Sequence, residues 1–256
     1  MSYSCGKYPI VEKQNLAKGI YSFTVKAPEI AGAAKAGQFA NIAVSGYTLR
    51  RPISICGFDA QSGEVRFVFE ERGKGTAELA KLHDGECMDI LGPLGNGFEF
   101  PESGKVIVVG GGIGVPPLLG VAKTTKVEAI LGFRDRTRVI LEDEYLKATD
   151  GDTTVCTDDG SYGLHGVVTQ PLAEKLKNGG YTAVMACGPE PMIKAVIKTC
   201  EEYNVPCQVS LEQRMGCGVG ACVVCSCMTV RNGKEFYSRV CKDGPVFKAE
   251  EVRFNG

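Results

Sequence analysis

The sequence predicts a multidomain chain in which an antiparallel β-barrel is followed by an α/β domain with a parallel sheet and then by a small C-terminal domain. Up to about residue 100, short segments alternate apolar and polar residues between turn residues, which is typical of antiparallel strands. After residue 101, continuous apolar runs alternate with helical patterns, as in a parallel sheet covered by helices. The last segment is short but holds five of the twelve cysteines. We therefore place the domains at residues 1–101, 102–210 and 211–256.

The composition is that of an ordinary globular protein. The 256 residues include 29 Lys and Arg against 30 Asp and Glu, for a formal net charge of −1, and 44% of them are hydrophobic. A nucleic-acid-binding protein would need a basic excess or a basic face. A disordered chain would be less apolar and more highly charged. The composition therefore argues against both classes.

Membrane insertion and secretion are not predicted. The longest uncharged run, residues 106–122, contains five glycines and the pair Pro116 and Pro117, which divide it into a strand, a loop and a helix start. The first residues lack the charged and then apolar layout of a secretory signal. We expect a reducing cytoplasm, where clustered cysteines bind metal and do not form disulfides.

The barrel prediction depends on period-two alternation. In residues 65–70, Val65, Phe67 and Phe69 share one face of an extended segment. One short helix is expected between Gly73 and Leu82, with Thr76 as its N-cap. The strands are predicted at residues 20–26, 38–44, 64–70 and 87–91.

The second domain is predicted to be Rossmann-like. Runs such as residues 106–109 are apolar on both faces, so they fit a sheet that is buried between helices. Such alternating units commonly bind nucleotides at the carboxyl ends of their strands. The strands are predicted at residues 105–110, 128–133, 153–156 and 183–187, and the helices at residues 167–176 and 191–203.

Two motifs of this domain are candidate nucleotide sites. Residues 106–117 form a strand, a glycine turn and a helix start, an arrangement that lets a pyrophosphate approach the positive end of the helix. A tight turn without any ligand is the alternative. Residues 187–189, Cys-Gly-Pro, end a later strand at the same edge of the sheet. The candidate glycines are Gly110, Gly111, Gly112 and Gly114.

The barrel offers two candidate anion sites. Residues 50–55 combine two arginines, a proline and a hydroxyl, although an edge strand with a basic end would look the same. Residues 73–76 are expected at a helix N-terminus, where unpaired N–H groups attract anions.

The cysteine cluster is the most specific motif. Cys217, Cys222 and Cys225 give the spacing C-x4-C-x2-C with Cys241 as a distant fourth, which is the plant-type spacing for a 2Fe-2S cluster. A zinc site also takes four thiolates, although it more often shows two C-x2-C pairs. Cys227 could replace a ligand, but we expect it to be spare. The isolated cysteines are predicted to be buried: Cys5, Cys56, Cys87, Cys156, Cys200 and Cys207.

The order of these motifs resembles the ferredoxin-NADP reductase superfamily. More closely, the chain resembles the electron transfer subunits of class 1B (NAD-dependent) dihydroorotate dehydrogenase, and the resemblance covers nearly the whole chain. The stretches that carry it are residues 50–55, 92–98, 110–118, 157–163 and 240–247.

The resemblance implies an oxidoreductase subunit of pyrimidine biosynthesis. A separate FMN-containing catalytic subunit would oxidise dihydroorotate to orotate, in a heterotetramer with two copies of each subunit. This chain would pass the electrons through a 2Fe-2S cluster and FAD to NAD+. It would need no catalytic acid or base of its own, so we expect His83 and His165 to be exposed.

The resemblance also implies which residues bind the cofactors. The family commonly has Tyr-Arg where this chain has Phe69-Glu70. The residues matched to FAD are Arg51, Pro52, Ile53, Ser54, Val68, Phe69, Glu70, Gly75 and Thr76. Those matched to NAD are Gly110, Gly111, Gly112, Gly114, Cys187, Gly188 and Pro189, and those matched to the cluster are Cys217, Cys222, Cys225 and Cys241.

Two other functions stay open at this point. One is a related NAD(P)H-ferredoxin or sulfide-linked reductase subunit, which would share the same domains. The other is a zinc-stabilised nucleotide-binding regulator without redox activity. The nucleotide is also open on residues alone, because Arg134, Arg136 or Arg138 could accept the 2′-phosphate of NADP, whereas Asp135 suits the ribose hydroxyls of NAD. The resemblance implies NAD.

Overall fold

A computed structural model describes residues 3–254 of the chain. Residues 1–2 and 255–256, the outer ends of the first and third predicted domains and part of the segment considered for a secretory signal, lie outside the described residues. The strands form a closed six-stranded barrel, a seven-stranded sheet and a three-stranded sheet. The predicted fold class is therefore confirmed.

The barrel is antiparallel throughout, with strand order β1-β2-β5-β4-β3-β6. Val65, Phe67 and Phe69 all pack in its core, whereas Val68 packs against the neighbouring sheet. The period-two prediction for this strand is confirmed. The strands are β1 Ser4–Ala17, β2 Ile20–Lys26, β3 Phe39–Ile42, β4 Arg51–Asp59, β5 Glu64–Glu70 and β6 Cys87–Leu94.

Two short helices belong to the barrel region, α1 (Pro28–Ala33) and α2 (Lys74–Leu79). The predicted N-cap of α2 is wrong, because Gly73 is the N-cap and Thr76 is the third residue of the helix. The Thr76 hydroxyl instead accepts hydrogen bonds from the N–H groups of Arg72 (3.0 Å) and Gly73 (3.2 Å). Thr76 still satisfies free N–H groups of the first turn, but from inside the helix.

The strand predicted to be buried on both faces lies at the centre of the second sheet. Val106, Ile107, Val108 and Val109 are 0–2% exposed. Its parallel strands are β7 Lys105–Gly111, β8 Val127–Phe133, β9 Thr153–Thr157, β10 Leu164–His165, β11 Tyr181–Cys187 and β12 Cys207–Ser210. Its helices are α3 Val115–Thr124, α4 Glu142–Ala148, α5 Thr169–Lys177 and α6 Glu190–Glu202.

The C-terminal segment forms a small sheet and also extends the large one. Strands β13 (Ser226–Arg231), β14 (Lys234–Arg239) and β16 (Val252–Arg253) form the three-stranded sheet. Strand β15 (Val246–Lys248) instead pairs antiparallel with β12, with Phe247 opposite Val209. This pairing ties the segment with the cysteine loop to β12, at the edge of the parallel part of the sheet.

The isolated cysteines divide into two groups. Cys56, Cys156, Cys200 and Cys207 are buried, as predicted. The prediction is wrong for Cys5 and Cys87, which are exposed because they lie on outward positions of β1 and β6. Both histidines are exposed, as expected. Within residues 3–254, no helix combines the length and the apolar character needed to span a bilayer.

Candidate functional site

Two adjoining cavities lie between the barrel and the parallel sheet. The larger has a volume of about 940 Å³ and the smaller about 220 Å³. Glu70, Arg72 and Ile113 line both of them. The cavities therefore meet where β5 of the barrel faces the glycine loop of the second sheet.

The smaller cavity is lined by all three parts of the chain. The second sheet contributes Cys187, and the C-terminal segment contributes residues 211–213 with Met215 and Pro245. From the barrel it takes seven of the residues predicted to bind a cofactor: Pro52, Ile53, Ser54, Val68, Phe69, Glu70 and Thr76. Because β4 and β5 are adjacent in the barrel, their ends bring these residues together.

Arg51 and Gly75 are also brought together. A Cβ atom on Gly75 would lie 2.6 Å from the guanidinium carbon of Arg51, so a side chain at residue 75 would displace the guanidinium from this position. The same guanidinium carbon lies 5.0 Å from the ring centroid of Tyr47, which is within cation–π distance. No local pattern predicts this packing, although Arg51 and Gly75 were each predicted to bind a cofactor.

Phe69 and Glu70 point in opposite directions. The Phe69 ring is 2% exposed and stacks on Phe23 at a centroid distance of 5.5 Å in the barrel core. Only the main chain of Phe69 is therefore available to the smaller cavity. The Glu70 carboxylate accepts a hydrogen bond from Nε of Arg72 (2.6 Å) and forms an ion pair with Arg138, which lies in the 3-10 turn after β8.

The four candidate glycines have different roles. Gly111 and Gly112 line the larger cavity, and Gly112 has a φ of +53° with open space where a side chain would be. At Gly114, a Cβ atom would lie 2.6 Å from the nitrogen of Gly188. At Gly110, it would lie 3.0 Å from Cα of Val115. At Gly111, it would lie closer still to the sulfur of Met192. Three glycines thus allow close packing, and Gly112 leaves the main chain open to a ligand.

Charged residues line the larger cavity near the end of β8. Arg134, Asp135, Arg138 and Asp158 are all on its surface. Asp135 also accepts a hydrogen bond from the N–H of Thr137 (2.8 Å) and so caps the following turn. The sequence predicted Asp135 and the arginines as alternatives for the ribose end of a nucleotide, and the structure brings them together.

Cys187 and Pro189 stand at the carboxyl end of β11. Burial raises the pKa of the Cys187 thiol to about 12, so the thiol stays neutral at physiological pH. Cys187 lines the smaller cavity, and Pro189 lines the larger one. This strand end therefore separates the two cavities.

The four clustered cysteines form two pairs. The N–H of Cys217 donates to Sγ of Cys222 at 3.3 Å, and the N–H of Cys222 donates to Sγ of Cys217 at 3.4 Å. The N–H of Cys241 donates to Sγ of Cys225 at 3.4 Å. Cys225 and Cys241 are buried, and Cys222 is exposed. One pair thus faces the protein interior and the other faces outward.

Main-chain N–H groups converge on Cys217. Val219 and Ala221 also donate to its sulfur, at 3.4 and 3.3 Å. Burial opposes ionisation of this thiol, but the N–H donors outweigh it and lower its pKa to about 6. The loop can make these bonds because Gly218 and Gly220 adopt φ values of +75° and +83°. A thiolate held by N–H donors is the ligand that an iron–sulfur cluster requires.

This pairing distinguishes a 2Fe-2S cluster from zinc. Each iron of a 2Fe-2S cluster takes two thiolates, whereas one zinc ion draws four around itself. The two cysteine pairs therefore fit the cluster better than a zinc ion.

Sequence reasoning missed two residues of this region. Asn41 is fully buried on β3, and its Nδ2 donates to the carbonyl of Cys217 at 3.4 Å. Because this contact joins residues 176 positions apart, no local pattern could reveal it. Arg72 lines both cavities. The sequence could have indicated Arg72, because it directly precedes the candidate anion site at residues 73–76.

A barrel, a nucleotide-type parallel sheet and a four-cysteine loop that meet at one cleft define the class of iron–sulfur flavoprotein oxidoreductases. A family model described as the iron-sulfur cluster binding domain of dihydroorotate dehydrogenase B matches residues 212–253. Among solved structures, an NADH-dependent reduced ferredoxin-NADP oxidoreductase is 32% identical, with a TM-score of 0.86 over 97% of this chain and 90% of that one. Phthalate dioxygenase reductase is 18% identical, with a TM-score of 0.65 over 93% and 77%, and shows the fold alone.

Curated relatives that cover nearly the whole chain carry the name dihydroorotate dehydrogenase B (NAD(+)), electron transfer subunit. The Bacillus caldolyticus protein is 40% identical over 254 residues, which cover 95% of this chain and 96% of that protein. The Clostridium perfringens protein is 40% identical with 99% of each covered, and the Caldanaerobacter subterraneus protein is 43% identical with 85% and 87% covered. The chain belongs to this family of electron transfer subunits.

Proposed function

We propose that this electron transfer subunit carries electrons from the catalytic subunit of dihydroorotate dehydrogenase B through a 2Fe-2S cluster and FAD to NAD+. The observation that supports this order is the lining of the smaller cavity, where β4 and β5 meet Cys187 on one side and residues 211–215 on the other. A flavin in this cavity would have the nucleotide cavity beside it and the cysteine loop next in the chain.

We propose that the barrel holds FAD. Pro52, Ile53 and Val68 supply apolar walls, Ser54 a hydroxyl, and Phe69 its main chain. Arg51, which packs across Gly75, supplies a fixed cation for the phosphates. Thr76 shapes the phosphate-facing turn through its bonds to residues 72 and 73. Glu70 would contribute to the FAD site indirectly, by holding the arginines that it binds.

The larger cavity is the proposed site of NAD. Gly112 lets the pyrophosphate approach the start of α3, and Gly110, Gly111 and Gly114 pack the loop closely enough to keep it there. Cys187, Gly188 and Pro189 place a neutral thiol and a compact turn where the nicotinamide would reach the flavin.

The cluster site uses Cys217, Cys222, Cys225 and Cys241. Bound there, the cluster would supply single-electron transfer, while the flavin exchanges either one or two electrons. The chain itself holds the thiolates with main-chain N–H groups and buries the inner pair. Acid–base chemistry on dihydroorotate belongs to the partner, so this chain needs no catalytic residue.

The assembly and its location follow from the same account. We propose that the catalytic partner contains FMN and that two copies of each subunit form a heterotetramer in pyrimidine biosynthesis. The domains would be FAD-binding (1–101), NAD-binding (102–210) and cluster-binding (211–256). Because the cluster ligands are thiolates, which a reducing compartment preserves, we propose a cytoplasmic location.

The first test is an anaerobic visible spectrum of the purified chain before and after NADH, with iron, zinc and flavin measured on the same sample. We expect flavin and iron–sulfur absorbance that NADH bleaches. Zinc without iron would contradict the proposal and support the regulator. Co-expression with a catalytic subunit should give a complex that reduces NAD+ with dihydroorotate, and lack of association would contradict the proposed partner.

One observation favours a second candidate function, that of a related ferredoxin-linked reductase subunit. The solved structure at 32% identity belongs to a ferredoxin-linked oxidoreductase. Reduction of ferredoxin and dihydroorotate-dependent reduction of NAD+ should therefore be compared in the same preparation. A strong preference for ferredoxin would favour the related reductase subunit.

A further inference from the structure

Glu70 joins the barrel to the nucleotide cavity by binding two arginines. Its side chain is 17% exposed, and its two carboxylate oxygens are engaged separately, one by Arg72 and the other by Nη2 of Arg138. Arg72 follows Glu70 by two residues, whereas Arg138 comes from the 3-10 turn after β8, 68 residues away. All three residues line the larger cavity.

Arg138 stands beside the expected ribose end of the nucleotide. In open parallel sheets, the acidic residue after the second strand of the nucleotide-binding unit binds the ribose hydroxyls of NAD, and a nearby arginine binds the 2′-phosphate of NADP. Here Asp135 follows β8, and Arg138 ends the 3-10 turn that Asp135 caps. Arg138 thus has the position of a phosphate-binding arginine.

The guanidinium of Arg138 is nevertheless occupied. Its Nη2 binds Glu70, and its Nη1 donates to the main-chain carbonyl of Lys18 at 3.1 Å. Arg136, in the same turn, lies over the ring of Tyr162 at 5.4 Å. Three arginines line the larger cavity, and Glu70 neutralises two of them, Arg72 and Arg138.

We propose that Glu70 is a specificity determinant that excludes NADP, because it withdraws Arg138 from the ribose site and places a negative charge in the same cavity. A 2′-phosphate would have to compete with the carboxylate for Arg138 and would meet its repulsion. Discrimination against a competing ligand by an unfavourable charge is an effective route to specificity. This inference rests on the proposed function only in that the nucleotide occupies the larger cavity.

The test compares wild type, Glu70→Gln and Glu70→Gln/Arg138→Gln as full-length, flavin-loaded protein. The kcat/KM values for NADPH and NADH are measured with a dye acceptor and expressed per bound flavin. In Glu70→Gln, the ratio of NADPH to NADH should rise about tenfold, since a charge-assisted hydrogen bond to phosphate becomes available. The double variant should lose this gain. The matched control is Glu71→Gln, which removes an exposed carboxylate next in the chain.

A binding measurement separates the inference from the proposed electron path. Adenosine 2′,5′-bisphosphate and adenosine 5′-monophosphate are titrated into the same proteins by calorimetry. Only the bisphosphate should gain affinity in Glu70→Gln, again about tenfold. If both adenosine phosphates and both nucleotides change equally, Glu70 only holds the barrel to the sheet and the inference is wrong. If NADH does not reduce the cofactors of the wild-type protein, that result would instead contradict the proposed function.

Discussion

At the scale of single residues, the cysteine loop separates ligands from a spare thiol. Cys217 and Cys222 exchange N–H···S bonds, and Cys241 donates one to Cys225. Cys227 follows Cys225 by two residues and is half-buried, and burial raises its pKa to about 11. Among the described residues, Cys227 takes part in none of these N–H···S bonds, and this distinguishes it from the four predicted ligands.

Substitution should distinguish these cysteines. We expect Cys222→Ser to lose most of its iron and its iron–sulfur absorbance, because one iron would be left with a single thiolate. Cys227→Ser should keep both at wild-type levels and serves as the matched control. Iron and acid-labile sulfide per chain are the measurement. A full cluster in Cys222→Ser, together with loss in Cys227→Ser, would reverse the ligand assignment.

Gly114 is predicted to be needed for packing. A Cβ atom there would lie 2.6 Å from the nitrogen of Gly188 and closer still to the carbonyl of Cys187, and neither main-chain group can move away cheaply. We expect Gly114→Ala to lower the free energy of unfolding by about 1–3 kcal/mol, measured by urea denaturation. Gly32→Ala is the control, because nothing lies within 4 Å of that site in α1 and alanine favours a helix. Equal stability of the two variants would show that the loop relaxes.

The sequence predicted residue types better than their surroundings. The cysteine spacing indicated four thiolates because ligand spacing is a local property of the chain. The ion pair of Glu70 with Arg138 and the bond from Asn41 to Cys217 join distant segments. Such contacts depend on how the barrel, the large sheet and the loop are placed in space, which one sequence does not specify locally.

At the scale of elements, α4 links the barrel to the second sheet. Glu144 of α4 accepts hydrogen bonds from Arg66 of β5 (2.6 Å) and Lys123 of α3 (3.0 Å). Burial alone would raise the pKa of Glu144, but the bonds from Arg66 and Lys123 outweigh it and hold the pKa below its ordinary value of 4.5. The ionised carboxylate therefore favours the folded protein.

The stability that Glu144 contributes should depend on pH. Because its pKa is lower in the folded state than in the unfolded one, the contribution is complete above pH 4.5 and is lost as the pH falls through the folded value. We expect Glu144→Gln to reduce the free energy of unfolding by about 2 kcal/mol at pH 7 and by progressively less below pH 4.5. Urea denaturation across this pH range is the measurement. Asp143→Asn, at an exposed neighbour, should show a smaller and flatter effect, and a pH-independent loss in Glu144→Gln would contradict the ionic explanation.

Elements with a clear apolar pattern were predicted, and those without one were missed. The predicted bounds of β2 and β5 agree with the structure, since both strands bury one face. Strand β1 was missed because Ile10 is its only buried residue: exposure alternates at its start, but most of the inward positions are not apolar, so the sequence shows no clear alternation. Helix α4 is short and mostly charged, and its one buried residue is Tyr145, whose hydroxyl donates to the carbonyl of Val115 at 2.8 Å.

At the scale of the whole molecule, the smaller cavity is a junction. Its wall comes from β4 and β5, from the end of β11 and from the segment that precedes the cysteine loop. The C-terminal segment is held there because β15 pairs with β12 of the large sheet. The sequence predicted three domains in order but not this return of the chain, since a three-residue strand carries too little pattern to reveal its partner.

A ligand that fills this junction should stabilise the whole molecule. FAD bound there would contact the barrel, the large sheet and the C-terminal segment in the folded chain and would find no such site in the unfolded one. At a concentration 100 times its Kd, such a ligand adds about 2.7 kcal/mol to the free energy of unfolding. We therefore expect the Tm of flavin-free protein to rise steadily with added FAD. The measurement is differential scanning calorimetry of protein stripped of flavin.

FMN is the matched control for this experiment, because it carries the same ring system without the adenylate and pyrophosphate. If Arg51 and the turn at residues 73–76 bind the pyrophosphate, FMN at equal concentration should raise the Tm less than FAD. Arg51→Gln should reduce the effect of FAD more than that of FMN, because FMN carries one phosphate where FAD carries two. Equal stabilisation by the two flavins would show that the ring system, and not the phosphate-facing turn, provides the binding energy. A Tm that FAD leaves unchanged would remove the flavin from this junction altogether.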